Sequence, residues 1–91
     1  MKIKSLEWES VNISFTFGGN IVSRASSLEG KYLIVGKEGN YTLYNQIGEH
    51  SYQELKERIK DSERAKWLAQ RHFEKAILKQ YAEIKKYLIK E

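Results

Sequence analysis

The sequence predicts an α+β fold: four or five antiparallel strands in a meander, then a short and a long C-terminal helix packed on one face of the sheet. Three observations carry that prediction. Apolar and polar residues alternate with period two before residue 50, a 3.6-residue repeat dominates after it, and all 6 glycines precede the change. At 91 residues the chain supports a single domain, with the sheet in 1–48, the short helix in 51–60 and the long helix in 62–90.

Leu6 and Trp8 alternate first, but out of phase with Val11, Ile13, Phe15 and Phe17, which predicts a bulge at Glu9-Ser10. Gly18-Gly19-Asn20 is a turn, because glycine tolerates the positive φ of tight hairpins. Ile21–Ser26 is the next strand, Leu28-Glu29-Gly30 turns again, and Tyr32–Gly36 is aromatic and β-branched. After the turn Lys37-Glu38-Gly39-Asn40, Tyr41–Gln46 completes the sheet. Connections this short join antiparallel neighbours, since a parallel return needs a long crossover.

Ser51-Tyr52-Gln53-Glu54 has capping-box spacing, and Leu55 and Ile59 fall four apart, so a short helix is expected over 51–60. Its stripe fails at Glu63 and Lys66, and Asp61 or Ser62 caps a second helix. On that helix Ala65, Ala69, His72, Phe73, Ala76, Ile77, Ile84, Tyr87 and Leu88 share the side expected to face the sheet. The expected core is Trp8, Phe15, Ile34, Leu43, Ala69, Phe73 and Ile77, with Phe73 central. The helix would be roughly 40 Å long against strands of about 20 Å, so its end outruns the sheet.

Composition narrows function by exclusion. Cysteine is absent, which removes disulfides, thiolate catalysis and sulfur-ligated metals. The longest apolar run, Tyr32–Val35, is far short of the ~20 residues of a membrane helix. Lys2 and Lys4 are followed by Leu6-Glu7-Trp8-Glu9 rather than a signal-peptide core. A soluble, cytoplasmic protein is expected. The only histidines are His50, in a turn, and His72, on the sheet-facing stripe, where a packed ring with one hydrogen bond is the expectation. Asp61 and scattered glutamates form no ligand cluster, and Gly18-Gly19 lacks phosphate-loop spacing. No catalytic residue, metal or cofactor is assigned, and an enzyme is not expected.

Charge supplies the positive signal. Residues 1–50 carry as many acids as bases, so the whole excess of +4 lies after residue 50. Arg64, Arg71, Lys75, Lys79, Lys86 and Lys90 line one side of the long helix, with Trp67, Leu78 and Ile89 recurring along its edge. The line reads as a plain solvated face, as a docking surface for an acidic protein or ribonucleoprotein, or as a phosphate track with Trp67 or Tyr81 stacking on bases. Arg71, Lys75 and Lys79 stack like charges at four-residue spacing, a repulsion that an acidic partner would relieve. Tyr81, Ile84, Tyr87, Leu88 and Ile89 spread apolar groups around the helix end. They either finish the core or form an interface, with a homodimer or a partner protein as its occupant.

A set of residues resembles a known group. Trp8, Ala25-Ser26, Gly30-Lys31-Tyr32-Leu33-Ile34, Tyr41-Thr42-Leu43-Tyr44, Ile47-Gly48, Ser62-Glu63-Arg64-Ala65-Lys66 and Ala69 to Ile77 are similar to small phage- and prophage-encoded proteins, mostly of unassigned function, built as an antiparallel sheet followed by one helix. The likeness covers residues 5–48 and 62–77, and the chain departs from it in 49–61 and in the extension to 91. The resemblance implies a phage accessory protein that binds and blocks a host protein or ribonucleoprotein. Inhibitors of host defence, anti-CRISPR proteins among them, belong to this size class. The alternatives are a nucleic-acid-binding protein and a structural homo-oligomer.

Overall fold

The computed structural model describes residues 3–28 and 30–85. Five strands, β1 (Trp8–Ser14), β2 (Asn20–Ser26), β3 (Gly30–Lys37), β4 (Asn40–Ile47) and β5 (Tyr52–Ile59), precede one long helix, α1 (Ser62–Lys85). The strands pair antiparallel in the order β1-β2-β3-β4-β5, a simple meander. No helix among the described residues is long and apolar enough to cross a membrane.

β3 organises the sheet because it is buried on both faces. Tyr32 and Ile34 point to the side of α1 and join Leu43, Ile59, Ala65 and Ala69 in one cluster, while Leu33 and Val35 point away and pack with Phe15. Alternation along a strand sends successive side chains to opposite faces, so one apolar run serves both. The face away from the helix closes with rings: Phe15 lies 4.8 Å from Tyr44 and meets Tyr52 edge-on at 5.1 Å. On the other face Ala65 and Ala69 are completely buried. Their short side chains let α1 lie flush against the sheet.

The helix begins where the sequence places it. The Asp61 carboxylate accepts the Glu63 amide at 2.9 Å, so Asp61 is the cap that satisfies a free N–H. Gln70 then ties the N-terminal segment to the helix: its side-chain oxygen accepts the Leu6 amide at 2.8 Å, and its nitrogen donates to the Glu74 carboxylate at 3.0 Å.

The structure corrects the expected short helix over 51–60: residues 52–59 are strand β5. Residues four apart share a face in a strand as well as in a helix, so Leu55 and Ile59 do not discriminate. The odd spacing does. Tyr52 packs on the Phe15 side and Leu55 on the helix side, opposite faces for residues three apart. Register shifts between Tyr41 and Leu43 and between Leu43 and Tyr44 further break β5's alternation, and Arg58 holds a positive φ of 56°. A side chain in that region costs about 1–2 kcal/mol, which pairing with β4 must offset.

Two smaller differences concern β1 and the core. β1 ends at Ser14, its register shift lies between Ser10 and Ile13, and Phe17 is 68% exposed. Phe73, Trp8 and Ile77 are half-buried rather than central, and Tyr32 occupies the middle with Phe73 edge-on to it at 6.5 Å.

Gly36, at φ 128°, leads into the β3–β4 hairpin, and a Cβ there would collide with the Asn40 carbonyl. Gly39, at φ 87° in the same turn, has open space around it. Gly36→Ala is therefore expected to lower stability by roughly 3 kcal/mol, and Gly39→Ala by only about 1 kcal/mol. Urea unfolding of the two variants measures this, and equal losses would contradict the close approach.

Candidate functional site

α1 carries the candidate site because its buried stripe fixes which way the rest of the helix points. With Ala65 and Ala69 against the sheet, Trp67 faces outward and is 51% exposed. The Arg64 guanidinium lies over its ring at 4.6 Å from the centroid, and that of Arg71 at 5.6 Å. These residues stand three before and four after Trp67, one helical turn to either side. The indole thus has two cations over its ring, each attracted by the electron-rich π-system.

Some of the chain's cations are paired on the protein itself. Arg24 bonds Glu9 at 2.9 Å, Lys4 meets Glu7 at 3.1 Å, and Lys66 meets Glu63 at 3.5 Å. Arg24 accordingly holds the Glu9 carboxyl below the usual carboxylate range. Among the described residues no carboxylate pairs with Arg64, Arg71, Lys75 or Lys79, all of which are exposed. Lys86 and Lys90, assigned to the same line, lie outside the described residues.

The line runs beside a groove between α1 and β5, of about 260 Å³. Leu43, Leu55 and Leu68 line it with His72, and Lys56, Arg71 and Lys75 surround them. Lys56 and Leu55 escape the sequence reading because that segment reads as helix. As strand residues beside α1, they bring a third cation and an apolar wall to the face.

His72 is held from beneath. The Tyr32 hydroxyl lies 2.7 Å from His72 Nδ1. Burial pushes the Tyr32 hydroxyl up to about 12, so it stays protonated and donates. A neutral His72 then carries its proton on Nε2. Burial, with Lys75 nearby, lowers the His72 pKa below its ordinary value. No carboxylate bonds either ring among the described residues, and no group of three or more His, Asp or Glu residues there would hold a metal. Tyr32 belongs to the core, and the half-buried His72 packs against it.

The expected interface at the helix end is only partly described. Tyr81 and Ile84 are 48% and 56% exposed, and Leu78 is 50% exposed beside them. Ile84, expected on the sheet-facing stripe, lies outside the core. Tyr87, Leu88 and Ile89 lie outside the described residues.

No protein-family model, no curated protein and no solved structure matches the chain. The likeness to phage-encoded proteins therefore gains no support from a relative.

His72 makes stability depend on pH in a defined direction. A histidine whose folded pKa lies below its unfolded value, 6.5, binds fewer protons when folded. Its contribution is complete above pH 6.5 and is lost as pH falls through the lowered folded value. The wild-type urea midpoint is expected to drop between pH 7.5 and pH 5.5, and that of His72→Gln to change less. Equal drops would show that His72 is not the responsible group.

Proposed function

We propose that this protein is a non-enzymatic binding module that docks an acidic surface of a partner protein on the outer face of α1. The observation that carries this is Trp67, half-exposed with the guanidiniums of Arg64 and Arg71 over its ring, neither of which has a carboxylate partner among the described residues. Aromatic and arginine side chains together are the usual centre of a protein interface. The stacked arginines are held in place before a partner arrives, which limits the ordering cost of binding. Carboxylates of the partner would meet fixed, bidentate donors.

The same observation weighs against direct nucleic-acid binding as the first choice. Single strands are gripped by stacking bases on open aromatic faces, whereas two guanidiniums already lie over Trp67. The residues that resemble phage-encoded proteins support a narrower form of the reading, in which the docked partner is a host protein or ribonucleoprotein whose function is blocked.

Self-association is a second reading with an observation of its own. Leu78, Tyr81 and Ile84 are each about half exposed on one helix, where apolar patches commonly mark interfaces. Sedimentation that shows a dimer in the wild type and a monomer in Ile84→Asp supports it; a wild-type monomer at high micromolar concentration excludes it.

The principal test uses a labelled polyglutamate peptide and a twelve-nucleotide oligothymidylate. The peptide is expected to bind, and Arg64→Glu with Arg71→Glu to weaken it by at least about tenfold, since two exposed contacts become repulsive. No binding of the peptide, or tighter and steeply salt-dependent binding of the oligonucleotide, would overturn the reading.

A further inference from the structure

We propose that the groove between α1 and β5 seats a single apolar side chain of an acidic peptide segment, so that the docked partner presents a leucine-like anchor flanked by carboxylates. This rests on the reading of α1 as the docking face for an acidic protein and specifies what that face recognises.

The groove combines an apolar floor with a cationic rim. Its floor is apolar, formed by Leu43, Leu55 and Leu68. Its rim is cationic from both sides: Lys56 comes from β5, and Arg71 and Lys75 come from successive turns of α1. None of the three cations pairs with a carboxylate among the described residues. Their mutual repulsion is left standing at the mouth of a hydrophobic slot. The charge of Lys75 is felt nearby, since it adds to burial in disfavouring the charged form of His72. Other clefts differ in this respect: the one bordered by Lys4 and Glu7, and the one bordered by Arg24 and Glu9, contain their own ion pairs.

The size of the groove admits an apolar side chain. At about 260 Å³ the groove falls below the ~300–1,000 Å³ of typical small-molecule pockets. It suits one side chain entering from an extended backbone. Arg71 borders both the groove and Trp67, so anchor and carboxylate contacts form one surface. From Arg64 to Lys75 that surface runs about 16 Å along the helix, the span of roughly five extended residues. Carboxylates on either side of the anchor would reach Lys56 on one wall and Arg71 and Lys75 on the other. A phosphate backbone would satisfy the cations but has no apolar group to place on the leucines.

Two fluorescein-labelled decapeptides test this by anisotropy: one of aspartate and glutamate with a central leucine, the other identical but with alanine in its place. The leucine peptide is expected to bind about tenfold more tightly than the alanine peptide, because only it fills the groove. Lys56→Glu, an exposed substitution outside the Arg64–Trp67–Arg71 stack, is expected to weaken the leucine peptide by about tenfold. Equal affinity of the two peptides, with Lys56→Glu silent and Arg64→Glu/Arg71→Glu still disruptive, would overturn the groove and leave the docking face standing. Failure of both peptides to bind would overturn both. Displacement of the leucine peptide by twelve-nucleotide oligothymidylate, at lower concentration than by unlabelled peptide, would assign the cations to nucleic acid and overturn the proposal.

Discussion

The contact on which the rest of the structure depends is the one between the alanines of α1 and the centre of the sheet. Ala65 and Ala69 are fully buried in the same cluster as Tyr32, Ile34, Leu43 and Ile59. Larger side chains would hold the helix away; these let its backbone approach, and their four-residue spacing fixes its rotation. Once that rotation is set, Trp67 must face outward, Leu68 and His72 must border the sheet's flank, and Arg71 must stand between the two. The Asp61 cap and the Gln70 clamp hold the same pose at the start of the helix and along its side.

β5 turns a decorated helix into a candidate site. As the last strand of the meander it runs beside α1, and its bulged pairing with β4 brings Leu55 and Lys56 to the groove. The arrangement carries visible strain in the positive φ of Arg58 and in the register shifts opposite Leu43 and Tyr44. Charge is divided in the same sense. Glu54 and Glu57 of β5 add to burial in raising the Tyr44 pKa on the face away from the helix, whereas the groove side is rimmed by cations. The two sides of one edge strand thus differ in sign.

Much of the fold was legible in the sequence because local and global preferences agree there. β2, β3 and β4 follow period-two alternation between glycine turns, and the helix begins at a cap flanked by its own repeat. β5 was not legible, because Leu55 and Ile59 satisfy both periods and Gln53, Glu54, Lys56 and Glu57 favour helices in isolation. Pairing with β4 overrides that preference. The candidate site divides in the same way. Arg64, Trp67, Arg71, Lys75 and Lys79 stand on one helix and could be read from spacing alone. The groove could not, since Lys56 meets them only through the sheet. Glu74, which has no lysine four residues on, is instead bonded by Gln70, a partner that charge patterning overlooks.

Residues 52–59 form a strand that walls the groove together with α1. A methyl-labelled nuclear Overhauser spectrum tests it most directly. Cross-peaks from Leu55 and from Leu68 to Leu43 are expected, together with cross-strand contacts from Tyr52 to Gln46. Sequential helical contacts between residues three apart within 52–59, with no cross-peak from Leu55 to Leu43, would contradict it and remove the groove with the strand.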